Sequence, residues 1–168
     1  MSDKSANLLV CIPRLRRYAR ALAGSREAAD DLVQDTLERA WTRLASWREG
    51  SDMRAWLFAI MHNLYVDRAR RPATPLEALD DNTPEPYVHG SPADRMEIRD
   101  METALRLLPA EQREVLLLVA LESMSYDEVG ATLGIPIGTV MSRLSRGRER
   151  LRLLMDGGAA VSTLKVVK

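Results

Sequence analysis

The sequence predicts an all-α protein: two small helical domains joined by a flexible acidic linker. Three observations carry that prediction. Apolar residues recur at the 3.6-residue spacing of helices in each long stretch. Helix-start signals stand ahead of those stretches, at Ser25, Asp52, Ser91-Pro92 and Ser125-x-x-Glu128. A proline-rich acidic stretch, 72–92, divides the chain. At 168 residues there is room for one ordinary domain or two small ones. The domains are expected at 1–71 and 93–156, with a tail over 157–168.

The first helix is read over 8–23, started or interrupted at Pro13, whose ring removes one backbone hydrogen bond. Leu15, Tyr18, Ala19 and Leu22 form its apolar face, and Gly24 ends it. The second runs from Arg26 to about Ala45. Val33, Leu37, Ala40, Trp41 and Leu44 are placed on its buried side. Asp31, Gln34, Asp35 and Glu38, at i, i+3, i+4 and i+7, line up on the other side. That stripe reads as a solvated acidic face or as a docking strip for a basic partner.

After the loop 46–51, Asp52 caps a third helix that must stop before Pro72. Met53, Leu57, Ile60, Met61 and Leu64 are its core side. Trp56, Phe58, His62, Asn63 and Tyr65 are interleaved with Arg54, Arg68, Arg70 and Arg71. Aromatics among basic groups can stack on single-stranded bases, although aromatics at helical spacing are more often core. The linker carries Pro72, Pro75, Pro84, Pro86 and Pro92 with Glu77, Asp80, Asp81 and Glu85. Such composition builds no core and favours an extended chain.

Four helices are expected beyond it, at about 93–107, 110–122, 126–133 and 137–154, with Pro109 separating the first two. The last pair reads as a helix-turn-helix. Gly134 ends the shorter helix, and Gly134-Ile135-Pro136 makes the turn. On the longer helix Val140, Leu144, Gly147, Leu151 and Leu154 share one narrow face. Gly147 inside that face suggests close approach to a neighbouring helix. Ser142, Ser145, Arg146 and Glu149 lie opposite, flanked by Met141, Arg143, Arg148, Arg150 and Arg152. Residues 139–152 hold five Arg and one Glu, the footprint of phosphate binding with side chains placed to reach base edges.

Charge qualifies that picture. Lys+Arg and Asp+Glu are both 24, so the net charge is zero. Residues 1–71 hold 13 basic and 9 acidic groups, 72–100 hold 2 and 7, and 101–168 hold 9 and 8. Such a chain should bind DNA weakly alone and profit from a partner. Cys11 is the sole cysteine, so no disulfide framework or cysteine metal site is expected. His62 and His89 are lone histidines. No signal peptide or bilayer-spanning run is legible, and a cytoplasmic protein is expected. No nucleophile–base pair, glycine-rich phosphate loop or ligand cluster suggests catalysis or a cofactor.

Three strips together, DDLVQDTLERAW, MRAWLFAIMHNLYVDRARR and LPAEQREVLLLVALESMSYDEVGATLGIPIGTVMSRLSRGRERLR, resemble the bacterial extracytoplasmic-function sigma factors of the sigma-70 family. The likeness covers both blocks in order, as regions 2 and 4 of that family, and spares the termini and linker. It implies a polymerase subunit that directs the core enzyme to promoters, for instance those of a stress regulon, with an anti-sigma factor as a further partner. It further implies that Asp31, Leu32, Gln34 and Asp35, with Glu38 beside them, meet the polymerase β′ clamp helices. The loop from Trp47 through Arg48 to Asp52, with Arg54, His62 and Asn63, would capture minus-ten DNA. Thr139, Met141, Ser142, Arg143, Ser145, Arg146 and Arg148 would read the minus-thirty-five element. Met141 stands where many relatives carry Arg or Lys and offers a thymine methyl contact instead. The alternative is a helix-turn-helix regulator that binds DNA without being a polymerase subunit; a DNA-modifying enzyme is a remote third.

Overall fold

The computed structural model describes residues 2–71 and 90–165, with side chains as far as residue 157. Most of the linker expected at 72–92 lies outside the described residues. Seven α-helices are present among the described residues, with no strand.

Helix α1 spans Asp3–Leu22, five residues longer at its start than expected, with Pro13 inside it. Ser2 caps it by accepting from the Ser5 amide. Pro13 removes the bond to the carbonyl of Leu9, which lies on an outward turn: Leu9 is 47% exposed and Val10 75%. Leu8, Leu15, Tyr18 and Leu22 bury on both sides of the proline. Packing outweighs the missing bond, and the helix stays continuous.

Helix α2 is Arg26–Arg43, capped by the Ser25 hydroxyl on Ala28, and a 3₁₀ turn at Leu44–Ser46 follows. Its buried residues are Ala29, Leu32, Val33, Thr36 and Ala40. That arc is rotated by roughly 70° from the one expected, at 100° per residue. Trp41 therefore falls outside it and is 60% exposed, while Leu32 falls inside. Thr36 is tolerated in the core because its hydroxyl donates to the carbonyl of Leu32 at 2.6 Å. Helix α3, Met53–Ala69, starts at Asp52, whose carboxylate accepts from the amides of Arg54 and Ala55 at 2.9 and 3.3 Å. Phe58 meets Tyr18 edge-on, with ring centroids 4.9 Å apart. It is core and stacks on no base.

The second block comprises α4 (Pro92–Leu107), α5 (Ala110–Ala120), α6 (Tyr126–Leu133) and α7 (Ile137–Lys165). Complete capping boxes open α4 at Ser91/Asp94 and α6 at Ser125/Glu128. The hydrogen bonds from Ser91 hold the Asp94 carboxyl below its ordinary pKa. Gly134 takes the left-handed conformation that ends α6, at φ 67°. Helix α7 runs straight through Gly157, so the expected tail is helical as far as Lys165.

The two blocks share one continuous core. Leu8, Leu15, Leu57 and Met61 of the first belong to the same apolar cluster as Val115, Leu118, Val129 and Val140 of the second. Helix α5 packs on α1, and α6 on α3. Separately tethered blocks were expected; the structure shows them closed on each other.

Candidate nucleic-acid interface

The helix-turn-helix is built from the inside outward. Val140, Leu144 and Gly147 of α7 are buried on the side where α7 packs on α5 and α6. A Cβ on Gly147 would sit 3.4 Å from the Gln112 Cβ, so its hydrogen lets the helices approach closely. Gly130 serves the turn in the same way, since a Cβ there would lie 2.9 Å from the carbonyl oxygen of Ile135. With that face fixed, Ser142, Ser145, Arg146 and Glu149 are exposed on the opposite side.

Charge on α7 is less uniform than the sequence suggests. Arg143 reaches back to Glu111 of α5 at 3.7 Å. Arg152 pairs with Glu149 at 2.7 Å and Asp156 at 3.0 Å. Arg152 holds the Glu149 carboxyl below its ordinary pKa, first by hydrogen bonding and then by charge. Arg146, Arg148 and Arg150 make no ion pair with any described residue and are exposed. Their charges are available to DNA, with Arg148 and Arg150 on either flank of the reading face. Thr139 is half-buried, and its carbonyl accepts from the Ser142 hydroxyl at 3.1 Å, leaving that oxygen free to accept. Met141 is 52% exposed on the Arg148 flank.

On α2, Asp31, Gln34, Asp35 and Glu38 form an exposed strip, with Asp35 paired to Arg68 of α3. Leu32 does not belong to it: at 1% exposure it is core and cannot touch a partner. An open cleft beside the strip is lined by Arg16, Arg20 and Arg26 as well as Gln34, a basic margin that the sequence alone did not place there.

The expected minus-ten residues divide. Arg48, Asp52 and Asn63 are exposed. Trp47 is 8% exposed, with Lys4 lying over its ring and donating to its carbonyl at 3.3 Å. The early start of α1 puts Lys4 there, and Trp47 is thereby removed as a base-capturing side chain. Arg54 donates to the carbonyl of Glu122 at 2.6 Å and lies 4.0 Å from the Glu128 carboxylate. His62 Nδ1 is 2.7 Å from Glu114 Oε1. Both are held by the second block. The residues that hold them, Glu122 and Glu114, went unnoticed in the sequence, and Arg14 and Arg17 of α1 face Glu122 in turn. The available signal was a carboxylate at Glu114 on the same helical face as Leu117, Leu118 and Leu121. Tyr18 lies beneath this contact, its hydroxyl pushed well above the ordinary pKa by burial and then by Glu114, Tyr65 and Glu122.

Two closed helical blocks, the second ending in an exposed recognition helix, define a class. Residues 8–62 match the family described as the Sigma2 domain of PhyR, and residues 98–151 match Sigma-70, region 4. The chain belongs to the extracytoplasmic-function RNA polymerase sigma factors, non-catalytic subunits that direct the polymerase to promoters and initiate transcription there. It is 36% identical to the ECF sigma factor EcfG of Rhodopseudomonas palustris, over 89% of this chain and 83% of that one. It is 29% identical to ECF sigma factor SigM of Bacillus subtilis, over 84% and 88%. Among solved structures it resembles the sigma factor RpoE in complex with the anti-sigma factor NepR from Bartonella quintana. That likeness has a TM-score of 0.77 and 35% identity, covering 93% of this chain and 98% of that one. CnrH in complex with the cytosolic domain of CnrY is similar too, with a TM-score of 0.68, 29% identity and coverage of 92% and 88%. No helix among the described residues is long and apolar enough to cross a membrane.

Proposed function

We propose that this sigma factor docks on the β′ clamp helices of core polymerase through Asp31, Gln34, Asp35 and Glu38. It reads the minus-thirty-five element with Ser142, Ser145 and Arg146, while Arg148 and Arg150 hold phosphates. Met141 meets an apolar base edge such as a thymine methyl. Arg48, Asp52, Arg54, His62 and Asn63 face the minus-ten strand once the two blocks separate. The observation that carries this reading is the α7 surface: a face of Ser and Arg side chains opposite a fully packed one, with its central arginine unpaired. An anti-sigma factor is a further partner, as for the relatives solved with NepR and CnrY, and the working compartment is the cytoplasm, where the polymerase is.

Transcription in vitro with core polymerase over a genomic promoter library tests it. Transcripts that depend on the chain should share two upstream elements. Reversing Asp31 and Asp35 to Arg should abolish these transcripts and weaken core binding, because both sit opposite the buried face of α2. Unchanged core affinity in that variant would return the strip to a solvated surface.

A further inference from the structure

The loop between α2 and α3 carries Arg48 and Asp52, and one side chain from outside holds it in three places. Lys4, in the first turn of α1, donates to the carbonyl of Trp47 at 3.3 Å. Its ammonium lies 5.9 Å from the centre of the Trp47 ring and 3.8 Å from the Glu49 carboxylate. The loop itself turns tightly. Gly50 has φ 86°, and the carbonyl of Arg48 accepts from the Ser51 amide at 3.2 Å and the Ser51 hydroxyl at 2.6 Å. Trp47 is buried in the apolar core, yet its indole N–H has no hydrogen-bond partner among the described residues. A buried Trp is usually fixed by that N–H. Here the bond at the carbonyl and the cation over the ring take its place.

We propose that Lys4 is a positioning residue for minus-ten recognition: it fixes Trp47, and through Trp47 the adjoining Arg48, in the orientation that meets the strand. This rests on the assignment of Arg48 and Asp52 to that strand. The carbonyl of Trp47 belongs to the planar peptide unit that joins it to Arg48, so the Lys4 bond sets where Arg48 begins. A charged donor makes that bond stronger than a neutral one, and the contact of ammonium with ring adds to it. The same ammonium offsets Glu49, an 81% exposed carboxylate next to Arg48 that would otherwise repel phosphate. With its side chain only 25% exposed and its contacts turned to the loop, Lys4 acts through Arg48 and not on phosphate itself.

The test uses holoenzyme assembled from the full chain and core polymerase, on one promoter recovered from the transcript library. Strand opening is read as permanganate reactivity of unpaired thymines. Lys4→Met keeps an unbranched apolar stem and removes the charge and the donors. It should reduce opening on the order of tenfold while core binding is unchanged. Lys4→Arg, which keeps a cation and donors, should restore most of the loss. In a chain carrying Trp41→Phe and Trp56→Phe, the fluorescence of Trp47 should become more quenchable by acrylamide with Lys4→Met and not with Lys4→Arg. The salt dependence of promoter binding should keep its slope, because a positioning residue neutralises no phosphate. Undiminished opening in Lys4→Met, or a matching loss of core binding, would overturn the proposal. So would a slope flatter by about one, which would make Lys4 a phosphate contact. Arg48→Ala separates the two levels and should impair opening at least as much as Lys4→Met. If Arg48→Ala opened the promoter normally, the assignment of Arg48 would fall and the role of Lys4 with it. If Arg48→Ala impaired opening while Lys4→Met did not, only the role of Lys4 would fall.

Discussion

Arg54 of α3 and Arg146 of α7 are the same residue type on helices of the first and second blocks, and the structure treats them oppositely. Arg54 is 21% exposed at its side chain and spends its donors on Glu122 and on its own neighbour Asp52, 3.8 Å away. Arg146 is exposed and pairs with no described residue. Local sequence does not separate them. The difference is made by acids elsewhere in the chain: the acceptors of Arg54, Arg17 and His62 lie 68, 105 and 52 residues away. An arginine's availability is a property of the closed fold.

The contrast can be broken most severely by removing what holds α5 in place, because α5 supports α7 and leads directly into the turn whose Glu122 carbonyl holds Arg54. Leu118→Ala, at a residue 1% exposed, should cost about 2–5 kcal/mol in denaturant unfolding. It should weaken both surfaces together. Gly147→Leu is narrower. The side chain has no room against Gln112 and Leu116, and forcing α7 away should cost about 1–3 kcal/mol. Duplex binding should fall with it, while the contacts of Arg54 remain.

Within α7 the comparison sharpens. Arg146→Ala should cost about 1–3 kcal/mol at one promoter position if its contact is bidentate. Arg150→Ala should weaken all sequences alike and flatten the salt dependence. Equal, uniform losses from both would erase the division between reader and clamp. The smallest effect is expected at Ser125→Ala, which removes the cap of α6 and should cost about 1 kcal/mol of thermal stability without changing base preference.

Much of the fold was legible because the signals are local. Caps at Ser25, Asp52, Ser91 and Ser125 set helix starts, Gly134 set a helix end, and the spacing of Val140, Leu144 and Gly147 set the face of α7. Misreadings arose where distant packing overrode local pattern. Pro13 suggested a break that the burial of Leu8 and Leu15 overrides. Trp41 sits at the edge of an apolar stripe whose centre is decided by what α1 and α3 offer. Trp47 lost its expected role because Lys4, 43 residues earlier, lies over it. The candidate site divides the same way. The exposed face of α7 follows from periodicity, whereas the covering of Arg54 and His62 depends on how α5 and α6 meet α1 and α3.

Arginine-directed chemical labelling followed by mass spectrometry tests the central contrast directly. In the free chain, Arg146 and Arg150 should react quickly, and Arg54 and Arg113 slowly, Arg113 being tied to the carbonyls of Leu22, Leu105, Arg106 and Leu108. With core polymerase bound, Arg54 should become reactive while Arg113, which is held mostly within its own block, changes less. Equal rates for Arg54 and Arg146 in the free chain would contradict the account.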